Sequence, residues 1–171
     1  MSAIKLSTPS SGSISLSPAD TASNLTITVP AVSGTMATNG PAFSAYPNAN
    51  QTLSATTYTK VLFQTEEFDT NNNFASSTFT PTVAGYYQVN TAINWGIAIS
   101  RGIVKAYKNG ADFKTLSDFQ NTTSNAQGGS CLVYCNGSTD YIEIYAYAGV
   151  GCTLSAGSTS TWFQASMVRG A

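Results

Sequence analysis

The 171-residue chain contains no histidine and few charges, seven Lys and Arg against eight Asp and Glu, for a formal net charge of −1. Without an imidazole, neither a Ser-His-Asp nor a Cys-His nucleophilic device can be built. The acidic pairs on offer, Glu66 with Glu67 and Glu67 with Asp69, have no flanking motif that would tune one member as an acid. Glu66 and Glu67 are adjacent and so face opposite ways in a strand. The chain is therefore expected to bind rather than to catalyse, with no cofactor. No basic run supplies the footprint that a nucleic-acid partner requires. No apolar stretch approaches the roughly 20 residues of a bilayer span, so membrane insertion is not expected. The segment Ser2 to Pro9 lacks the charged start and apolar centre of a secretory signal.

Cysteine is scarce and odd in number. Cys131 and Cys135 share one face of an expected strand, about 13 Å apart at strand rise, too far for a direct bridge. Cys152 is left free to meet either one, or all three remain reduced and packed as small hydrophobes. No pair of CxxC motifs suggests zinc, and a calcium ion at Asp69 or Asp140 would have no loop motif to support it, so no metal site is expected.

What the chain has in abundance is Ser, Thr and Asn, 58 residues together. Hydroxyl and amide side chains serve strands and turns, which suits a β-rich extracellular or virion protein better than a helical enzyme. The length fits one domain plus an appendage.

From Pro41 onward the strand pattern is dense. Expected strands are Ala42 to Tyr46, Lys60 to Gln64, Glu66 to Asp69, Ser77 to Thr80, Tyr86 to Trp95, Arg101 to Lys108, Asp112 to Asp118, Ser130 to Cys135, Tyr141 to Tyr147 and Thr161 to Val168. Asn71 to Asn73, Asn109 with Gly110, and Asn136 with Gly137 supply turn chemistry between them. Ten short strands at this density predict an all-β sandwich or jelly roll. The Tyr86 to Trp95 strand puts Tyr87, Val89, Thr91, Ile93 and Trp95 on a core face. Its other face, Tyr86, Gln88, Asn90, Ala92 and Asn94, is too polar for a core and suits water or another subunit.

The first 40 residues differ. Ser13 to Ser17 and Asn24 to Pro30 each alternate as strands, joined by a turn over Pro18 to Thr21. An isolated hairpin is marginal in water, so its apolar face needs partners, such as two further copies of itself. This stretch looks like the short linkers of phage tail-fibre and related virion fibre proteins. It is expected to form a stem over residues 1–40 that attaches to other virion proteins, with a head over 41–171.

The framework Phe63, Asp69, Phe74, Gly85 and Tyr87 resembles the signature of the globular head of complement component 1q, a relative of the tumour necrosis factor superfamily. Pro41 to Ala45 is similar to that family's first strand, Tyr107 with Asn109 and Gly110 to its central hairpin, Gly128, Gly129 and Leu132 to its sixth long strand, and Ser160 to Val168 to its closing strand. Phe79 comes two positions early, and Val89 and Thr91 replace usual aromatics. The resemblance implies a ten-stranded antiparallel jelly roll and a homotrimer assembled through Tyr86, Gln88, Asn90 and Ala92.

Two surfaces are candidates for a ligand. In the Tyr141 to Tyr147 strand, Ile142, Ile144 and Ala146 alternate with Tyr141, Glu143, Tyr145 and Tyr147, so an exterior ladder of phenol rings with one carboxylate suits a sugar or a protein epitope. The same ladder also fits simple cross-strand stabilisation. The polar loop Asn121 to Gln127, with Asn121, Thr122 and Asn125, is the second candidate. The expected protein is thus a phage fibre or spike component, made in the host cytoplasm and carried on the virion at the tail or capsid surface. Its head would adsorb to a host-surface glycan or protein. A capsid decoration without a host ligand is the alternative.

Overall fold

The computed structural model describes residues 4–7, 13–16, 40–120 and 125–171. The chain divides into two compact units, Met1–Gly34 and Thr35–Ala171. In the first, β1 (Ile4–Ser7) pairs antiparallel with β2 (Ser13–Leu16), Ile4 opposite Leu16 and Ser7 opposite Ser13. The partner expected for β2, residues 24–30, lies outside the described residues, as does the 18–21 turn. The strand found beside β2 is one the apolar alternation had not suggested, because Ile4 and Leu6 are only two positions and Pro9 follows at once.

The second unit contains β3 (Ala42–Tyr46), β4 (Gln51–Leu53), β5 (Thr59–Lys60), β6 (Thr65–Asp69), β7 (Phe74–Ala75), β8 (Thr78–Phe79), β9 (Gly85–Asn94), β10 (Arg101–Lys108), β11 (Ala111–Gln120), β12 (Ala126–Cys135), β13 (Ile142–Ala148), β14 (Cys152–Leu154) and β15 (Trp162–Gly170). No helix occurs among the described residues. One sheet runs β12-β9-β15-β3-β6, and the other runs β11-β10-β13-β8-β7 with β5 also on β13. All pairings are antiparallel. The two sheets enclose one core, so the unit is the expected jelly-roll sandwich.

Alternation places that core. Tyr87, Val89, Ile93 and Trp95 of or beside β9 are fully buried, as are Ile142, Ile144 and Ala146 of β13. The aromatic framework converges here: Phe43 stacks on Phe74 at 4.5 Å and on Phe79 at 4.7 Å, and Phe163 meets Phe43 edge-on at 4.8 Å. Tyr87 packs edge-on to Phe79 at 5.4 Å. Each such pair adds roughly 1 kcal/mol beyond the area it buries.

The spacing of the polar and glycine positions has an equally local cause. Asp69 accepts hydrogen bonds from the backbone N–H of Asn71 and, at 2.7 Å, of Phe74, fixing the turn that delivers Phe74 to the core. At Gly85 a β-carbon would lie 2.4 Å from the carbonyl oxygen of Arg169, so only glycine lets β15 approach. Ser77 binds both the N–H and the carbonyl of Phe63 through its hydroxyl.

That last contact explains a shortened strand. Residues 61–64 were expected to continue β5, and Val61 still donates to the Ile144 carbonyl of β13, but the N–H of Leu62 donates to the Gln51 side chain and that of Phe63 to the Ser77 hydroxyl, so beyond Val61 side chains replace the neighbouring strand as partners. Strands β4, β7 and β14 are additions of two or three residues, too short to alternate detectably. Cys131, Cys135 and Cys152 are all free thiols. Burial pushes Cys135 up to about 11, with Asp140 adding to the rise and Lys108 opposing it.

Candidate functional site

The ladder of β13 lies on the outer face of its sheet, and β10 adds side chains to it, because Lys105 stands opposite Tyr145 and Tyr107 opposite Glu143. The rings are engaged with one another. Tyr107 and Tyr145 stack at 3.9 Å, and Tyr147 meets Tyr58 at 5.1 Å. Lys105 lies 4.9 Å from the Tyr58 ring centroid and is ion-paired with Asp112, whose hydrogen bond holds the ammonium pKa above its usual value. Arg101 sits over Tyr147 and pairs with Asp118 at 3.2 Å. Burial raises the phenols of Tyr107 and Tyr145.

Glu143, expected as an exposed carboxylate, is 9% exposed. Lys60 of β5 closes over it at 2.7 Å, and Thr78 donates a second hydrogen bond at 3.1 Å. Tyr141 stands at the turn end of the ladder: its backbone exchanges bonds with Asn109, and its hydroxyl stands over the Asn109-Gly110 turn. Tyr145 and Tyr147 therefore share a patch with Tyr58, Lys60, Arg101, Lys105 and Tyr107. Those five were missed, although alternation along Arg101 to Lys108 places Arg101, Lys105 and Tyr107 on the face of Tyr145.

Of the loop candidates, Asn121 and Thr122 lie outside the described residues, and Asn125 is exposed with its carbonyl accepting from the Trp95 N–H at 2.7 Å. Gln127 is not a loop residue; it is buried within β12, where its amide donates to the Gly102 carbonyl. Strand β12 starts four residues before the expected Ser130 because Gly128 and Gly129 serve close packing rather than a turn.

The solvent face of the β9 sheet carries the expected subunit residues. Across it Tyr86 stands opposite Tyr134, Gln88 between Leu132 and Ser166, and Asn90 between Ser130 and Gln164. Tyr86 (45% exposed), Leu132 (52%), Tyr134 (42%), Phe68 (50%) and Val168 (53%) lie on or beside this face. A depression of about 200 Å³ opens among Ala42, Phe43, Phe68, Asn90, Gln164, Ala165 and Ser166. Charge is confined to the margins, at Glu66 and Glu67 on β6 and Arg169 on β15.

The strands run between two ends. At the end where β9 starts, Gly85 lies beside Cys135 and Gly170, and the Ala171 N–H bonds to Ala84. Gly40, where the described chain enters the unit, packs on Met167 at this same end. Here Asp140 accepts from Asn109 at 2.7 Å and pairs with Lys108 at 2.8 Å, and Asn109 with Lys108 holds its carboxyl below the usual range. The opposite end gathers 47–58, 95–100 and 148–161. They interlock through Thr56 to Ala148 and Ser155 to Asn94 backbone bonds, the β4-β14 ladder and the close pass of Gly96 over Thr153.

No protein-family model and no curated protein matches this sequence. Solved structures do. The globular domain of a zebrafish complement 1qA protein is similar at 22% identity and a TM-score of 0.57, over 77% of this chain and 99% of its own. The PRD1 vertex protein is similar at 13% identity and a TM-score of 0.60, over 76% and 98%. Murine APRIL is similar at 12% identity and a TM-score of 0.58, over 76% and 100%. These likenesses establish the fold, a complement 1q and tumour necrosis factor-like jelly roll.

Proposed function

We propose that this chain is a virion fibre or spike component whose jelly-roll head adsorbs to the host cell surface as a homotrimer, with residues 1–40 docking on other virion proteins. The observation that carries the reading is the sparsely charged, partly apolar solvent face of the β9 sheet, with carboxylates only at its β6 margin, where Glu67 accepts from Ser44. Phe68, Tyr86, Leu132, Tyr134 and Val168 are each at least 42% exposed there, beside Gln88, Asn90 and Gln164. A lone domain in water rarely leaves such a patch open, whereas neighbouring copies would cover it and bond its amides.

The fold shared with a phage vertex protein supports a place on the particle. That likeness equally favours the second reading, a vertex or capsid decoration with no host ligand. The two are separated by incubating the fluorescently labelled full chain with a panel of bacterial strains. Saturable adsorption to some strains supports the spike reading, and a trimer by light scattering that adsorbs to none supports decoration.

A further inference from the structure

The charged side chains are distributed unevenly over the jelly roll. Asp69, Lys108, Asp140 and Arg169 lie toward the end where the chain enters, and the ion pairs Lys60 with Glu143, Lys105 with Asp112 and Arg101 with Asp118 lie on the β10 sheet. The loops of the opposite end, 47–58, 95–100 and 148–161, contain no Asp, Glu, Lys or Arg, and the cations at their rim, Arg101 beside Gly149 and Lys105 over Tyr58, are ion-paired with Asp118 and Asp112. Its surface consists of hydroxyls and amides such as Asn48, Asn50, Ser54, Thr57 and Thr159, with Ile97 (50% exposed) and Val150 (41%) standing out on glycine-flanked loops.

We infer that this loop end, with no unpaired charge, is the ligand-contacting surface and that its ligand is a neutral polysaccharide. The inference rests on the adsorption reading and gives it a location and a substrate class. Three observations carry it. The end is remote from both Gly40 and Ala171, so neither described chain end lies against it. The loops interlock into one continuous and rigid surface through backbone bonds, as a preorganised site requires. Its chemistry matches sugar hydroxyls, which pair with hydroxyl and amide side chains as donor and acceptor alike, while Ile97, Val150 and the neighbouring Tyr58 ring offer apolar contact to C–H faces. An acidic polysaccharide would find no unpaired cation here, since Arg101 and Lys105 at the rim are held by Asp118 and Asp112, and Trp95, an anchor of the kind that dominates protein interfaces, is buried beneath the surface.

The test uses the full chain against immobilised neutral polysaccharides (glucan, mannan and galactan) and a uronic-acid polymer, each in about 20 mM and 1 M NaCl, a range that collapses the Debye length. Binding to at least one neutral polymer, changing less than about two-fold with salt, is expected, with none to the uronic-acid polymer. Ile97→Asp and Val150→Asp are expected to weaken it more than ten-fold with an unchanged circular dichroism spectrum and melting point, both side chains being exposed. Binding confined to the acidic polymer, or variants that bind as the parent does, would overturn the inference. Adsorption to bacterial cells without binding to any neutral polymer also overturns it while leaving the spike reading intact. Binding to a neutral polymer without adsorption to any strain sinks the spike reading alone.

Discussion

Gly129 passes so close to Leu116 that a β-carbon on it would lie 2.5 Å from the Leu116 carbonyl oxygen. This is where β11, the edge of one sheet, closes on β12, the edge of the other. Neither backbone can retreat without breaking its own ladder to β10 or β9. Gly129→Ala is expected to destabilise the head by about 1–3 kcal/mol, as overpacking in a tight site does. Urea titration of the variant against the parent measures it.

Asp69 links two parts of the aromatic framework by accepting the Phe74 N–H at 2.7 Å. Asp69→Ala leaves that N–H without its charged acceptor and frees the turn that carries Phe74 onto Phe43. A loss of about 1.5–3 kcal/mol is expected, the value of a hydrogen bond to a charged group. Near-ultraviolet circular dichroism, sensitive to the Phe43-Phe74-Phe163 packing, reports it alongside the melting point.

Sequence alone made the architecture legible where physics is local. Alternation identified Tyr87, Val89, Thr91, Ile93 and Trp95 as a core row, and all five are buried, while β10 has the bounds expected of it. The partners of the tyrosine ladder were not legible. Lys60 covers Glu143 from a strand far away in the chain, and Tyr58 reaches Tyr147 from a loop, so no spacing rule links them. Gln127 was read as the end of a polar loop, whereas it lies inside β12, where Gly129 admits the neighbouring backbone of Leu116.

Acid stability has an identifiable contributor. Asp140 is held below its ordinary value of 3.8 by Asn109 and Lys108, so its stabilisation is present above that pH and is lost as pH falls through the lower folded value. Asp140→Asn is expected to lower stability at pH 7 by about 1.5–3 kcal/mol while flattening the acid limb of a stability-pH curve. Thermal unfolding between pH 7 and pH 2 tests both.

At the alkaline end the group is Tyr87. Burial, with Cys135 adding to it, pushes its phenol from 10.0 to about 12, and the hydroxyl donates to the Val83 carbonyl at 2.6 Å. Its contribution is complete below pH 10 and disappears as pH rises toward 12. Tyr87→Phe is expected to cost about 1 kcal/mol at neutral pH, the net worth of one hydrogen bond, and to reduce the loss of stability in alkali. Unfolding followed from pH 8 to 12 separates the two effects.

Assembly has its own variant. Leu132 is 52% exposed on the solvent face of the β9 sheet, so Leu132→Asp is expected to leave the isolated fold within about 0.5 kcal/mol of the parent. In a trimer closed over that face it buries a charge and drives the mass measured by light scattering toward that of one chain. An unchanged trimer mass would place the subunit contact elsewhere.

Gly40 and Ala171 lie at the same end of the sandwich, beside Met167 and Ala84 respectively. A reporter or affinity tag fused behind Ala171 would therefore trail on the entry side and leave the hydroxyl-rich loops unobstructed. Immobilisation through that carboxyl terminus becomes the natural orientation for a sensor chip or for directed evolution of the loops.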